Sequence, residues 1–527
     1  MRRLIRRLPG PVRDRLRPVW RALHNSPPPD MWVALRTLRG RRLPPPGPEV
    51  PPLVVTIPPG PGAEVSRAAL RRQTDRAWRE GPPVPGALWM ELPAGAALLP
   101  HAVASLRHAF ADTAVRAVFA DEIGPEEPGG EPALWLKTAF DPDRNLQQAM
   151  TGRCVAFRLE APPAGTPHAM TLMLGPPGMA AGAAPIRHWP EVLLRRGPQD
   201  VAPWRDGFDA AAVRAALAAD GRGAVLDARR ITWPVPQPAP LVSVIIPTRD
   251  HAALLRPCVE GLLHRTDWPA LEVIIADNGT AEPEALNLLE ELARDPRVQI
   301  LPCPGPFNYS AINNRAVRAA KGQLLLLLNN DTEVRHPDWL RRMAALALRP
   351  EIGAVGARLL YPDGRIQHQG VALGLGGVAG HEFMLNAPDA AGPADALRMT
   401  RTVSAATAAC LLMRREVFDA AGGLDEDGLK IAYNDVDLCI RIGQLGLRLL
   451  VTPEAELLHK ESASRGDDMS PAHRARWEGE CRIMLERWGS LLAADPFWPT
   501  QASLRHAGGH ALHWKLVTRP YGAGGPR

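Results

Sequence analysis

Lysine is scarce in this sequence, and its cysteines are not paired. Only five of the 62 basic residues are lysine, so the formal net charge of +6 is carried by arginine. Together with the many alanines, prolines and glycines, this bias is typical of a GC-rich genome and does not indicate nucleic-acid binding. The six cysteines are scattered without a Cys-x-x-Cys pair. We therefore expect reduced thiols in a cytosolic protein, and neither a disulfide framework nor a zinc site.

Long apolar runs are also absent. No stretch reaches the roughly 18 apolar residues of a membrane span, and none has the form of a signal-peptide core. The candidate for membrane contact is the segment 1–25, which holds eight arginines and one acidic residue, Asp14. Its apolar residues recur at near-helical spacing, which favours a basic amphipathic helix on an anionic membrane surface. Because Pro9 and Pro11 interrupt this pattern, a disordered arginine-rich tail is the alternative.

The length of 527 residues predicts two domains with tails. After the basic segment and a proline-rich linker, together residues 1–52, strand-like and helix-like patterns alternate over 53–200 and again over 241–470. That alternation is typical of α/β domains. Residues 201–240, which end in a proline-rich run, are predicted as the linker between them. Residues 471–527 are predicted as a C-terminal helix and a loosely patterned tail.

Five consecutive leucines, Leu324–Leu328, mark the strand around which the second region is organised. A short run without polar residues predicts a strand buried on both faces of a mainly parallel sheet. It is followed by polar residues that include Asp331, and two earlier strand-like runs end at Thr248–Asp250 and at Asp277. The carboxyl ends of parallel strands lie along one edge, so we expect a nucleotide-type ligand site there. For any one run alone, a solvated turn is the alternative.

Two further polar groups lie later in the sequence. Asn434, Asp435 and Asp437 fall at the predicted N-terminus of a helix, where capping and the helix dipole favour carboxylates. Capping explains one of the two aspartates but does not easily explain both. His459 follows the last predicted strand, and from the local sequence it is either a surface histidine or a metal ligand.

Taken together, these segments resemble the family 2 glycosyltransferases, which have the GT-A fold. The resemblance covers residues 241–466, and its motifs occur in the family's order. The motifs are Pro247–Asp250, Asp277–Gly279, Asn313–Asn314, Asn329–Asp331, Asn434–Asp437 and His459. Three stretches have sequences similar to those of long bacterial enzymes that assemble surface polysaccharides, of the O-antigen and rhamnan type. They are Val242–Asp250, Gly423–Glu426 and Glu461–Gly466.

The resemblance implies an α/β catalytic domain with a Rossmann-like mixed sheet and a role for each matching residue. The residues expected to bind the sugar donor are Pro247, Thr248, Arg249, Asp250, Asp277, Asn314, Asn330 and Asp331. Asp435 is the expected general base, and Asn434 and Asp437 are expected beside it on the acceptor side. Asp331 and His459 are the expected ligands of a divalent cation, Mg²⁺ or Mn²⁺.

Two residues depart from the family pattern. Asn329 stands where the first aspartate of the family's metal-binding Asp-x-Asp element usually is, and Asn434 stands where a glutamate usually precedes the base. With one carboxylate fewer, we expect weaker binding of the cation. The base, Asp435, is retained, and we therefore expect activity.

Residues 53–200 resemble a second, degenerate copy of the same fold. Leu53–Pro59 parallels Val242–Thr248, and Leu88–Gly95 parallels Leu326–Thr332. In the second pair, the metal-binding aspartate is replaced by a residue that cannot bind a cation through its side chain. We therefore expect a degenerate GT-A-like domain that is catalytically silent and serves acceptor binding or packing. An unrelated α/β domain is the alternative.

The resemblance implies an inverting glycosyltransferase that moves a sugar from a nucleotide-diphosphate sugar to a hydroxyl group of a glycan. The expected setting is bacterial surface-polysaccharide assembly, with a lipid-linked glycan as acceptor on the cytoplasmic side of the cell membrane and peripheral contact through residues 1–25. Two other classes remain. A sugar nucleotidyltransferase would need a glycine-rich loop with a lysine after the first strand, which Pro247–His251 lacks. A non-catalytic scaffold that binds nucleotide sugars or glycans is favoured slightly by Asn329 and Asn434.

Overall fold

The computed structural model describes residues 29–40, 46–127, 131–160, 186–460 and 471–505. The basic segment 1–25 and the motif 461–466 lie outside the described residues. Within the described ranges, none of the helices combines the length and the apolar character that a membrane span requires.

The contacts within the chain divide it into two units. The first unit extends to Ile231 and the second runs from Thr232 to Trp498. Pro499–Ser503 belong to the first unit, where Gln501 Nε2 donates a hydrogen bond to Pro190 O at 2.9 Å. The boundary at Ile231 falls within the predicted linker 201–240.

An eight-stranded mixed sheet forms the centre of the first unit. Its strands are β1 (Leu53–Thr56), β2 (Trp78–Glu80), β3 (Leu88–Glu91), β4 (Ala97–Leu98), β5 (Ala117–Glu127), β6 (Glu131–Trp135), β7 (Val155–Arg158) and β8 (Ile186–Arg195). Its first helices are α1 (Pro29–Gly40), α2 (Ala63–Arg71), α3 (Ala102–Ala109) and α4 (Pro142–Asn145). The apolar runs Leu53–Val55 and Leu88–Met90 are buried and pair in parallel, as short runs without polar residues do.

Residues 201–240, predicted as a linker, contain regular structure. They form α5 (Pro203–Asp206), α6 (Ala210–Asp220), β9 (Val225–Asp227) and β10 (Arg230–Thr232). The Asp209 side chain caps α6 by accepting hydrogen bonds from the N–H groups of Ala211 and Ala212, each at 3.0 Å. Gly221, at φ +72°, ends this helix in the left-handed conformation that glycine tolerates. The proline-rich run itself follows β10, where the segment continues to β11 without a helix or strand.

A ten-stranded mixed sheet forms the centre of the second unit. Its strands are β11 (Val242–Thr248), β12 (Leu271–Asp277), β13 (Val298–Pro302), β14 (Leu324–Leu328), β15 (Thr332–Val334), β16 (Ile352–Leu360), β17 (Ile366–His368), β20 (Arg401–Val403), β21 (Cys410–Arg414) and β22 (Arg448–His459). A separate hairpin consists of β18 (Val371–Leu373) and β19 (Ala379–His381). The helices are α7 (Ala252–His264), α8 (Pro283–Leu292), α9 (Tyr309–Ala319), α10 (Trp339–Ala347), α11 (Arg415–Ala420), α12 (Asn434–Gln444) and α13 (Pro471–Leu492), with a 3₁₀ segment at Pro393–Arg398.

The five-leucine strand β14 lies at the centre of this sheet. It pairs in parallel with β11 and antiparallel with β21, and none of its leucines is more than 1% exposed. Helices cover the sheet, as the burial of the leucine run requires. The α/β fold class predicted from the sequence, with a mixed sheet in the second region, is confirmed.

Both sheets follow the same strand order. The first reads β2-β1-β3-β7-β5-β8-β4, and the second, after its edge strand β13, reads β12-β11-β14-β21-β16-β22-β15. Each pair of neighbouring strands in the first sheet is parallel or antiparallel in the same way as the corresponding pair in the second sheet. In addition, β6 pairs with β5 in the first sheet, as β17 pairs with β16 in the second. The register also shifts at the same place, after Ala120 in β5 and after Ala357 in β16.

Candidate active site

Three parallel strands of the second unit bring the predicted polar residues to one edge of the sheet. β11 pairs in parallel with both β12 and β14, and Thr248 lies directly opposite Asp277. The Asn330 side chain donates a hydrogen bond from Nδ2 to Thr248 Oγ1 at 2.9 Å, which ties the end of β14 to the end of β11. The convergence of strand ends that the sequence predicts is therefore present.

Asp331 and His459 meet through the pairing of two other strands. β15 and β22 run antiparallel with Thr332 opposite His459, and Lys460 N donates to Asp331 O at 3.0 Å. This pairing brings Asp331 Oδ1 to 3.1 Å from His459 Nε2. Both side chains are buried, so the contact is shielded from water.

The other ring nitrogen of His459 is held by Gln367. His459 Nδ1 lies 2.7 Å from Gln367 Oε1, an oxygen that can only accept, so Nδ1 is the protonated nitrogen whenever the ring is neutral. Nε2 then presents its lone pair to Asp331 Oδ1, a buried oxygen that receives no hydrogen bond from the described residues. Asn329 Nδ2, at 3.2 Å, is the donor that faces the same nitrogen.

These two acceptor atoms fit a divalent cation. Neighbouring ligands of an octahedral ion with bonds of ~2.1 Å lie ~3.0 Å apart, close to the observed separation of 3.1 Å. In the part of the chain that the structure describes, no group of three histidine, cysteine or acidic side chains could surround a metal. Asp331 and His459 would thus be the protein's two ligands. The remaining positions would fall to phosphate oxygens or water, which is common for Mg²⁺.

Asp435 lies in the first turn of α12, half-buried. Its Oδ1 accepts a hydrogen bond from the adjacent Val436 N at 2.8 Å, and its Oδ2 accepts one from Ala408 N at 3.0 Å. The first contact stays within the first turn of the helix and is not a cap, because Tyr433 is the N-cap residue. The second fixes the carboxylate against a loop outside the helix, and capping does not account for it.

The loop that holds Asp435 also holds the end of the five-leucine strand. Ala409, the residue after Ala408, accepts a hydrogen bond at its carbonyl oxygen from Asn329 N at 3.1 Å. Tyr309 Oη donates to Ala408 O at 3.3 Å and lies 3.5 Å from Asn329 Oδ1. Asp435 is therefore joined, through two consecutive loop residues, to the strand end that carries Asp331.

The predicted sugar-donor residues around the nucleotide edge have distinct environments. Asp277 Oδ1 accepts hydrogen bonds from Thr280 N at 2.9 Å and Thr280 Oγ1 at 2.5 Å. Pro247 is buried, whereas the Arg249 side chain is 59% exposed. Asp250 Oδ1 accepts from Ala281 N at 2.7 Å and Glu282 N at 2.9 Å.

Two backbone hydrogen bonds hold the Asp250 carboxylate at the edge of the site. The N–H groups of Ala281 and Glu282 lower the pKa of the Asp250 carboxyl and tie the loop after β11 to the loop after β12. Asp250 Oδ1 therefore helps to shape the edge of the site.

The side chains of three predicted site residues, Asn314, Asn434 and Asp437, form hydrogen bonds within the protein. Asn314 uses both ends of its amide on the loop after α11, donating to Leu424 O and accepting from Leu424 N. Asn434 donates to Ile431 O at 3.0 Å. Asn314 therefore holds the loop after α11, and Asn434 holds the start of α12. The contact of Asn314 with the sugar donor and the acceptor-side position of Asn434 stay predictions.

Asp437, which is predicted on the acceptor side, is also bound within the protein. It is fully buried, with Oδ2 at 2.8 Å from Arg441 Nε and Oδ1 accepting from Trp488 Nε1 at 2.9 Å. Oδ1 therefore joins α12 to α13, whereas Oδ2 binds an arginine of α12 itself. An aspartate two residues after Asp435 lies on a different face of the helix, which the sequence motif alone does not reveal.

Two contributors to the site were missed by sequence reasoning. Gln367 orients His459, and the backbone N–H of Ala408 holds Asp435. The polar run Gln367–Gln369, which begins within β17, was an available signal for the first. No side-chain pattern could have indicated the second, because the group is main chain.

Residues 243–422 match the family model described as Glycosyl transferase family 2. The chain carries a family 2 glycosyltransferase domain. The GT-A fold expected for the second region is thereby confirmed. The matched range includes β11 to β21 and therefore Asp331, while Asp435 and His459 follow it.

Curated relatives extend the similarity beyond that range. The O-antigen biosynthesis protein RfbC of Myxococcus xanthus is 37% identical over 397 residues, which are 71% of this chain and 31% of RfbC. The N-acetylglucosaminyl-diphospho-decaprenol L-rhamnosyltransferase of Mycobacterium tuberculosis is 26% identical over 286 residues, 50% of this chain and 90% of that enzyme. The chain spans about a third of the length of the longer curated relatives it matches.

A solved structure was also compared. The mannosyltransferase PcManGT from Pyrobaculum calidifontis, in complex with GDP-Man and Mn²⁺, has 16% sequence identity and a TM-score of 0.34. The similarity covers 51% of this chain and 74% of that chain.

Proposed function

We propose that residues 241–470 form an inverting glycosyltransferase that moves a sugar from a nucleotide-diphosphate sugar to a hydroxyl group of a glycan. The observation that carries this proposal is the loop at Ala408 and Ala409, which bonds on one side to Asp435 and on the other to Asn329. This link supports a single cleft that contains both a carboxylate base and the Asp331–His459 pair.

Asp435 is the proposed general base. The acceptor hydroxyl must lose its proton as its oxygen attacks the anomeric carbon, and a carboxylate within hydrogen-bonding reach can take it. The hydrogen bond from Ala408 N fixes the orientation of Asp435, which favours a reactive geometry. The new glycosidic bond forms as the bond from the anomeric carbon to the diphosphate oxygen breaks. One in-line displacement of this kind inverts the anomeric configuration.

The Asp331–His459 pair is the proposed holder of a divalent cation, Mg²⁺ or Mn²⁺. Such an ion, when bound, neutralises the charge that develops on a diphosphate leaving group. Gln367 keeps the His459 ring in the tautomer whose lone pair faces Asp331. Asn329 cannot supply a second carboxylate, so we expect the protein alone to bind the ion weakly and the sugar donor to strengthen that binding.

Thr248, Arg249 and Asp277 are the proposed contacts to the nucleoside. They lie at the carboxyl ends of β11 and β12, where open α/β sheets bind nucleotides. Asp277 uses Oδ1 for Thr280, and its other oxygen is suited to accept hydrogen bonds from ribose hydroxyls or the base. The exposed Arg249 guanidinium adds positive charge at this edge.

The proposed biological setting is assembly of a bacterial surface polysaccharide. The relative RfbC is named for O-antigen biosynthesis, and the Mycobacterium tuberculosis relative is named for rhamnosyl transfer to N-acetylglucosaminyl-diphospho-decaprenol. These names favour a lipid-linked glycan as acceptor. We place the reaction on the cytoplasmic face of the membrane, with residues 1–25 as the candidate contact.

The first unit is proposed to be a degenerate copy of the same fold without catalytic activity. Its strand order, strand directions and register shift match those of the second unit. Between β14 and β15 the second unit has Asn329–Asp331, whereas between β3 and β4 the first unit has Leu92–Ala96, which contains no carboxylate. Asp435 lies between β21 and β22, and the matching segment of the first unit, 159–185, contains no acidic residue after Glu160.

The polar core of the first unit supports this proposal. Glu122, in the middle of β5, is fully buried and 2.7 Å from Lys137 Nζ. The same oxygen of Glu122 accepts hydrogen bonds from Arg153 N at 2.7 Å and Cys154 N at 2.9 Å. A carboxylate enclosed by these internal donors serves packing and is not placed to bind a soluble sugar donor.

The experiment that tests the proposed function begins with a thermal-shift screen of nucleotide sugars, with and without Mn²⁺. Release of nucleoside diphosphate is then measured with the stabilising donor and a bacterial lipid extract as acceptor. We expect Asp435→Asn to lower kcat by about 100-fold or more while donor binding persists. Asp389→Asn, a change at an exposed aspartate, is the matched control.

Two outcomes would contradict the proposal. Turnover by Asp435→Asn at the wild-type rate would show that another group accepts the proton. Binding of a nucleotide sugar by the wild-type protein without turnover or hydrolysis of any donor would favour the non-catalytic scaffold.

A further inference from the structure

Two histidines form a direct contact next to the loop that holds Asp435. His368 ends β17 and His381 ends β19, and their Nδ1 atoms are 2.7 Å apart. The rings are perpendicular, with centroids 4.9 Å apart. His368 is 1% exposed, so its hydrogen bonds form out of contact with water.

The surroundings of His368 determine which nitrogen carries the proton. Its Nε2 accepts hydrogen bonds from the N–H groups of Gly370 and Thr407, both at 3.4 Å. Because these neighbours can only donate, Nε2 has no proton, and Nδ1–H donates to His381 Nδ1. Burial, followed by the effect of nearby His381, lowers the pKa of His368 well below its usual value, which keeps the ring neutral.

Through Thr407, His368 contacts the loop that holds the proposed base. Thr407 precedes Ala408, whose N–H donates to Asp435 Oδ2 at 3.0 Å. The same loop is held at its start, where Val371 N donates to Ala405 O at 2.8 Å. The loop of residues 405–409 is therefore fixed to the β18–β19 hairpin at one end and to the His368 ring in its middle.

The hairpin that carries His381 is itself firmly held. Asp495, after α13, accepts hydrogen bonds from Leu373 N at 2.6 Å and from Ser404 Oγ at 2.7 Å. Next to His381, the buried Glu382 pairs with Arg401 at 2.6 Å. The histidine pair thus connects a rigid hairpin to the loop, and the loop to Asp435.

We propose that His368, oriented by His381, is a positioning residue that holds the 405–409 loop and thereby fixes Asp435 for proton abstraction. This inference rests on the proposed function, because it takes Asp435 as the base. His368 acts through the loop and needs no contact with substrate. A histidine suits this position because the neutral ring accepts on one side and donates on the other.

The first test measures steady-state kinetics of His368→Phe and His368→Gln. Phenylalanine removes all three hydrogen bonds of the ring, and we expect kcat to fall by about 10- to 100-fold while KM for the sugar donor changes less than about 2-fold. Glutamine can accept from Thr407 N and donate to His381, so it should restore most of the lost kcat. His336→Phe, at an exposed histidine, is the matched control.

A double-mutant cycle separates this proposal from the proposed function. If His368 acts through Asp435, adding His368→Phe to Asp435→Asn should cause no further loss of kcat. An inactive Asp435→Asn beside a fully active His368→Phe would overturn the positioning role and leave the base assignment intact. Wild-type turnover by Asp435→Asn would overturn both.

A further measurement needs no substrate. Hydrogen–deuterium exchange of the 404–410 backbone should be faster in His368→Phe than in the wild-type protein, and close to wild type in His368→Gln. Unchanged exchange of this segment in His368→Phe would overturn the proposal even if no sugar donor were identified.

Discussion

Replacement of Gln367 by leucine should weaken cation binding without disturbing the rest of the site. Gln367 Oε1 accepts from His459 Nδ1 at 2.7 Å, and both side chains are buried. With leucine, of similar size, the cation-free ring could carry its proton on Nε2 and donate it to Asp331. Cation binding would then require the proton on Nδ1, without a partner, at a cost of about 1–3 kcal/mol. Because 1.4 kcal/mol is a factor of 10, that cost corresponds to a change of about 10- to 100-fold in cation affinity, the range known for residues that orient metal-binding histidines.

The assay is turnover of the sugar donor at increasing Mn²⁺ concentration. We expect Gln367→Leu to raise the concentration required for half-maximal turnover by about 10- to 100-fold, with kcat at saturating Mn²⁺ close to wild type. Gln367→Glu provides the opposite change, since a carboxylate at this position makes the imidazole a stronger ligand and should not raise that concentration. Gln299→Leu, at an exposed glutamine in β13, is the control.

The reasoning would be refuted by an unchanged Mn²⁺ dependence in Gln367→Leu. That result would mean that His459 is oriented by other contacts or does not bind the cation. A fall in kcat that added Mn²⁺ cannot restore would also contradict it, because it would indicate damage to the site beyond the cation.

Three other predictions follow from side chains described above. Asn329→Asp would place a carboxylate next to His459 Nε2, and Mn²⁺ titration of turnover should show tighter cation binding, by about 10-fold. Asp437→Asn should lower the free energy of unfolding by about 3 kcal/mol in urea, since Asp437 is fully buried and bonded to Arg441; unchanged stability would contradict this. Burial raises the pKa of Cys258 to about 12, so mass spectrometry after alkylation at pH 8 should find the half-buried Cys481 modified well before Cys258; equal rates would be inconsistent with that environment.

Local patterns predicted β11, β12 and β14 because nearly all of their side chains are buried. Leu324–Leu328 has no polar residue, and every one of its side chains is buried in the sheet. The polar residues that follow such strands, Thr248, Asp277 and Asp331, could therefore be placed at one edge from the rules of parallel sheets.

Partners that are distant in sequence could not be predicted in the same way. Asp331 meets His459 through a strand only three residues long, Thr332–Val334, which leaves almost no periodic signal. Asn314 and Asp437 have the residue types of a binding site, but the direction of a side chain depends on which face of its helix meets the core. The alanine-rich helix Ala210–Asp220 was not predicted, because its segment ends in a proline-rich run that is typical of a linker. Asp209 and Gly221 were nevertheless available as signals for its two ends.

The group that holds Asp435 is the main chain of Ala408. Every amino acid except proline has a backbone N–H, so almost any side chain at this position leaves the hydrogen bond available. Substitutions at position 408, except to proline, should therefore leave the orientation of the Asp435 carboxylate unchanged. The contact between Gln367 and His459 has no such protection, because a single codon change can remove it. Among variants of this protein, affinity for the proposed cation should therefore diverge more readily than the placement of the proposed base.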